Sequence, residues 1–189
     1  MQKLYCYVDE TGQDTEGRLF IVVVVVVAQE KDSLLRLCED MERVSGKGKF
    51  KWGKAGYPQR IAYLRQVFAE KRHEGTLRYA IFLSMNDFDT ATVTTIARAI
   101  RWKRPSEPFT TMVYVDGLSK SKRRDDGRTL HRLGIPTKQV RGVGRDENNA
   151  LVRLADAVAA FVRDALGGDT PEVVALFERC KRRGLLIEV

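Results

Sequence analysis

The sequence predicts an α/β domain, a mixed sheet flanked by helices, on three observations. "LYCYVDETG" alternates, with Leu4, Cys6 and Val8 to one side and Tyr5, Tyr7 and Asp9 to the other, as a strand with one face on a core does. "LFIVVVVVVA", Leu19 to Ala28, is apolar throughout and rich in β-branched side chains, the pattern of a central strand covered on both faces. Segments with apolar residues at helical spacing separate these and later strands.

The elements follow in order. A strand over Lys3 to Asp9 and the valine strand are joined by a polar, glycine-bearing loop and form an antiparallel hairpin. Leu34, Leu37, Cys38, Met41 and Val44 then mark a helix capped by Asp32 or Ser33. After "SGKGKFKWGKAGY", Pro58 opens a second helix striped by Ile61, Leu64, Val67 and Phe68, and Gly75 closes it. "TLRYAIFLS" is a third strand. Asn86 or Asp87 caps a third helix running through Arg104, which Pro105 and Pro108 end before the strand "FTTMVYVDG". A basic helix near Lys120 to Leu133, a short strand "TKQVRGV", a long helix from Asn148 or Asn149 to Leu166 and a last helix from Thr170 and Pro171 through Arg182 complete the chain. The terminal "GLLIEV" is open between an added strand and a homodimer contact.

The 189 residues, 43% of them hydrophobic, suit a single domain spanning 1–189 with a substantial core. Thirty-three Lys and Arg against 25 Asp and Glu leave a net charge of +8, which favours anionic partners, nucleic acid (DNA or RNA) among them. Cys6, Cys38 and Cys180 are odd in number and set among apolar residues, the usage of reduced core thiols in a cytoplasmic protein. The valine run is about half the roughly 20 residues a membrane helix needs and lacks a signal peptide's basic flank, so no membrane association is expected.

Three acids carry the chemistry. Asp9 and Asp116 each end a strand, Asp116 sharing a face with Met112 and Tyr114. If these strands are parallel neighbours, both carboxylates meet at the carboxyl edge of the sheet, where open α/β sheets bind ligands. The plain alternative is that "DETG" and "DG" are turns. In "NALVRLADAVAAFV", Asp156 lies at the edge of the inward stripe of Leu151, Ala155, Val158 and Val162, and is therefore half-buried. Its alternative is a solvent-facing acid paired with Arg153 or Arg163.

Asp9 on a first strand, Asp116 ending a later one and Asp156 on a following helix resemble the acidic constellation of ribonuclease H-like nucleases and transposases. More specifically, "YVDETG" with "LVRLADAVA" is similar to the family known as domain of unknown function thirty-eight hundred. That family carries an Asp-Glu pair after its first strand and a Gln-x-x-Asp on a late helix. The resemblance implies a ribonuclease H-like fold with a five-stranded mixed sheet and an extra helical pair between strands two and three. It further implies a divalent-metal-dependent nuclease with Asp9, Glu10, Asp116 and Asp156 as catalytic metal ligands. Arg153 stands where the family has Gln; having only donors, it would hold a phosphate or pair with Asp156.

Clustered acids suit phosphodiester hydrolysis because two Mg²⁺ or Mn²⁺ ions about 3.5–4 Å apart compensate charge on the attacking and leaving oxygens. A fourth ligand is needed, and Glu10 ranks first although a continuing strand would turn it away from Asp9. Asp146 and Glu147 are alternatives, or simply acids at a helix start. The loop Lys47, Lys49, Lys51 and Lys54 around Phe50 and Trp52 reads either as a substrate surface or as a solvated loop, and the resemblance favours Lys51 and Trp52 near the site. Lys120 and Lys122, with Arg123 and Arg124, follow Asp116 and would flank the same crevice. Two rival readings remain: a non-catalytic nucleic-acid-binding module on the same fold, which Arg153 beside Asp156 suits, and a small-molecule phosphohydrolase.

Overall fold

The computed structural model describes residues 1–103, 105, 108–144 and 149–189. Strands β1 (Gln2–Thr11), β2 (Leu19–Val27), β3 (Leu77–Leu83), β4 (Phe109–Asp116), β5 (Thr137–Val143) and β6 (Leu186–Glu188) form one sheet in the order β5-β4-β1-β2-β3-β6. β1 pairs antiparallel with β2 and parallel with β4; β3 is antiparallel to β2, while β5 and β6 run parallel to β4 and β3. The sheet thus has one strand more than expected, because "GLLIEV" is an added edge strand whose Leu186 pairs with Leu77.

Helices α1 (Lys31–Val44), α2 (Tyr57–Ala69), α5 (Ala150–Gly167) and α6 (Pro171–Arg182) cover one face, and α3 (Phe88–Lys103) and α4 (Lys120–Arg132) the other. The pair α1 and α2 is the expected insertion between β2 and β3. All of Phe20 to Val27 is buried, alternately in the two cores, which is why the valine run shows no alternation. Cys6, Cys38 and Cys180 are free and buried. Among the described residues no helix is long and apolar enough to cross a membrane.

The side-chain caps expected at α3 and α5 form and the one at α1 does not, while Gly75 does not close α2, which ends at Ala69 ahead of a separate 3-10 turn over Lys71–His73. Asn149 Oδ1 accepts the backbone N–H groups of Leu151 and Val152, and Asp87 accepts that of Thr90. At α1 neither Asp32 nor Ser33 caps the helix, because the chain is already helical from Lys31, and Ser33 Oγ instead donates to the Glu30 carbonyl. Arg104 and Asn148, the outer bounds expected for α3 and α5, lie outside the described residues.

Gly12 is required where β1 turns toward β2. It has φ +103°, and a Cβ there would lie 2.0 Å from the Leu19 carbonyl oxygen. The turn therefore begins only after Thr11, and β1 passes straight through Asp9 and Glu10.

Candidate active site

Two strand ends and one helix build the site. Val8 pairs with Val115 across the parallel β1–β4 ladder, so Asp9 and Asp116 stand at the next step, side by side at the carboxyl edge of the sheet. Two residues earlier Tyr7 and Tyr114 pair in register with rings stacked 5.0 Å apart, on the face that α5 covers. The pleat places Asp9 and Asp116 on that face too. Asp156 approaches from α5; its Oδ2 accepts the Trp52 backbone N–H at 2.9 Å. As expected, Asp156 is half-buried, and the two arginines offered as partners are engaged elsewhere, Arg153 with Glu42 and Arg163 with Asp14.

Electrostatics here run against ionisation. Asp9 is 7% exposed, and among the described residues its Oδ1 accepts only the Glu10 backbone N–H. Burial holds its carboxyl well above the usual range, and the charges of Asp156, Glu10 and Asp116 push the same way. Lys51 Nζ, 3.3 Å from Asp116 Oδ2, is a cation at the rim.

Glu10 points to the other face, because the strand continues through it. Its Oε1 accepts from Gln13 Nε2, while its buried Oε2 has no hydrogen-bond partner among the described residues. Burial first, then Asp116, push its pKa up to about 7 against the pull of Lys122. The cavity beneath it, about 380 Å³, is lined by Asp89, Asp116, Lys122 and Asp126. Asp126 is 8% exposed, and burial, followed by the charge of Asp89, lifts it to about 6.

The acids fit a hard divalent cation in donor chemistry: every candidate ligand is a carboxylate oxygen, and Asp9, buried, and Glu10, half-buried, have no ion-pair partner among the described residues. Among the described residues, however, no three acidic, histidine or cysteine side chains already converge on one point. The alternatives Asp146 and Glu147 lie outside the described residues.

Several expected substrate residues do other work. Trp52 is 4% exposed and anchored by its indole N–H to Asp164 and by the Arg60 guanidinium over its ring, so it is not an open stacking surface. Phe50, 59% exposed, is the accessible aromatic of that loop. Arg153 is 1% exposed and forks onto both Glu42 oxygens at 2.7 Å, so a buried carboxylate compensates its charge. Lys47 is buried against the same Glu42. Lys49 and Lys54 are exposed on the loop and Lys120 is exposed at the start of α4. Lys122 flanks the crevice as expected, its Nζ 2.7 Å from Asp89 Oδ1.

Sequence reasoning missed Glu42 and Asp126. Glu42 had a signal, since it extends the buried i, i+4 ladder of Leu34 and Cys38. Asp126 had none, because in "KSKRRDDGR" it resembles any solvated charge.

No family model matches the chain, and no curated protein matches it. Among solved structures it is similar to one of the PCNA:RNase HII complex from Archaeoglobus fulgidus, with TM-score 0.53 and 16% identity over 95% of this chain and 77% of that one. It is also similar to ribonuclease H2 from Pyrococcus horikoshii OT3, with TM-score 0.54 and 16% identity over 85% and 72% of the two chains. At this identity the likeness is one of fold: the chain has the ribonuclease H-like architecture.

Proposed function

We propose that this chain is a divalent-metal-dependent nuclease acting on DNA or RNA, a single ribonuclease H-like domain akin to the family domain of unknown function thirty-eight hundred. One observation carries the reading: three buried or half-buried acids from β1, β4 and α5 adjoin at the carboxyl edge of this sheet, with burial and the neighbouring acids pushing the Asp9 carboxyl well above its usual range. In this reading Asp9, Asp116 and Asp156 hold Mg²⁺ or Mn²⁺, and Glu10 serves from the opposite face as the fourth acid. When bound, such ions supply charge compensation on the attacking and leaving oxygens and a water of lowered pKa.

The chain's own groups do the rest. Lys51, at the rim beside Asp116, binds a phosphate oxygen and orients the strand. The backbone N–H of Trp52 holds the Asp156 carboxylate at one of its oxygens and so limits its rotation. Lys54, Lys120 and Lys122 extend the positive rim on both sides.

Labelled single- and double-stranded DNA and RNA, incubated with Mg²⁺ or Mn²⁺, test the proposal. Cleavage by the native protein is expected to fall by at least about a hundredfold in Asp9→Asn and Asp156→Asn and to stop in EDTA. Binding without cleavage in either metal, unchanged by both substitutions, would leave a nucleic-acid-binding module instead.

A further inference from the structure

At the end of α3 remote from the crevice, three cations and an indole stand together with no acid among them. Phe88 and Asp89 open α3 beside the acidic cavity, whereas Trp102 and Lys103 close it about 21 Å further along the axis, at about 1.5 Å per residue. Arg98, Arg101, Trp102 and Lys103, with Val189, line an open hollow of about 820 Å³ there, within the roughly 300–1,000 Å³ of small-ligand sites. Trp102 is 48% exposed. α3 carries no acid after Asp89.

The ring is held from behind. The Arg78 guanidinium lies 3.8 Å from the Trp102 ring centroid and is itself fully buried, donating to the Leu77 and Gly75 carbonyls. No carboxylate pairs with it among the described residues, and its Nε finds no acceptor there. Burial without a counter-charge lowers its pKa to about 10, so it stays a cation at neutral pH, and an anion nearby would offset the cost of burying it. The outer cations are fixed by carbonyls as well. Arg98 donates to that of Val189, Arg101 to that of Leu133 and Lys103 to that of Gly75, contacts that orient the side chains and leave their charge uncompensated. Cations that merely complement a helix dipole require neither an indole nor a buried guanidinium.

We propose that Trp102, Arg98, Arg101 and Lys103 form a second nucleic-acid site, distant from the crevice, where a base of a single strand stacks on Trp102 and its flanking phosphates meet the three cations. Charge complementarity calls for a polyanion, and a ring clamped flat on a guanidinium presents a face, which suits a base. Insertion into an anionic lipid surface would instead need a ring that projects. A single strand is specified because a duplex stacks its bases on one another, and only an unpaired base offers its face. The site takes its partner from the nuclease reading, but it needs no metal and stands whether or not the chain cleaves.

Trp52 and Trp102 are the two tryptophans of the chain, so Trp52→Phe leaves Trp102 as the one fluorescent indole. Single strands of about twelve nucleotides, inorganic polyphosphate and anionic phospholipid vesicles are titrated into that variant in EDTA, which keeps binding apart from cleavage. The single strand is expected to quench Trp102 emission saturably, and polyphosphate, which has the charge without a base, to leave it unquenched. In the native background Trp102→Ala should weaken single-strand binding by about fivefold to a hundredfold, and Trp102→Phe should restore most of it. Arg98→Ala and Arg101→Ala, which leave the ring in place, should each lower the slope of log K against log salt by about 0.7. A thermal melt checks that each variant is folded. Absence of quenching by the strand, native-like affinity in Trp102→Ala, or a native salt slope in both arginine variants overturns the proposal. Quenching by the vesicles and not by the strand also overturns it and assigns the patch to a lipid surface. Quenching by the strand in a chain that shows no cleavage upholds this site and removes only the nuclease reading.

Discussion

Asp9 and Glu10 are neighbours in sequence, yet they serve opposite faces of one strand. Their environments raise both pKa values by burial before any charge effect. The sign of the resulting pH dependence follows. The folded chain binds the Glu10 proton more tightly than the unfolded chain, so Glu10's contribution to stability is full below its ordinary 4.5 and is lost as pH rises through about 7. Asp14 and Glu70, held low by Arg163 and Arg72, work in the opposite direction, and a difference between variants isolates the effect. Native stability minus that of Glu10→Gln, from urea unfolding, should fall between pH 4.5 and 7 by at most about 1.4 kcal/mol per pH unit, and Mg²⁺ should flatten the fall. Trp52 permits a second residue-scale prediction. Trp52→Phe removes the indole N–H to Asp164 and should cost about 1 kcal/mol in a melting experiment; a solvated stacking residue would show no change.

Among the elements, α1 and α5 are joined by the most highly charged contact of the core. Glu42 on α1 accepts from Arg153 on α5 and from Lys47 in the following loop, with all three side chains buried. Lys47 Nζ also donates to the Phe50 carbonyl, so the network holds the loop whose Trp52 backbone N–H reaches Asp156. Glu42→Gln would remove the carboxylate charge that two buried cations share, and urea unfolding should show a loss of about 3–5 kcal/mol. Most of these elements were legible in sequence: the valine strand, the hairpin and α5 with its Asn149 cap follow from local pattern and cap chemistry. Arg153 was not, because three residues before Asp156 it can point either into the crevice or along α5 to α1. Only the position of α1 decides.

At the scale of the whole molecule, a net charge of +8 sits on a chain whose candidate crevice is acidic within and basic at its rim. Polynucleotide binding should therefore weaken steeply with salt, log K falling linearly with log salt concentration by about 0.7–0.9 per phosphate contact. Lys51→Ala should reduce that slope by about 1 in filter-binding or anisotropy titrations across 50–200 mM salt, and weaken all sequences alike. A slope unchanged in Lys51→Ala would remove this side chain from the nucleic-acid path.

Periodicity, caps and the rarity of an acid on an apolar stripe are local signals, so the fold class, the order of the elements as far as α6 and the placement of Asp9 and Asp116 at strand ends and Asp156 on a helix were legible in the chain. The direction of Glu10 was equally local: it follows from the pleat once the strand is known to reach Thr11. Tertiary structure alone decided the rest. It paired β6 with β3, drew Arg153, Lys47 and Glu42 into one buried cluster, turned Trp52 inward, and set Asp126 opposite Glu10. Each of those outcomes pairs groups far apart in the chain, and a charge or an indole has the same local pattern whether it meets solvent or a partner from another element.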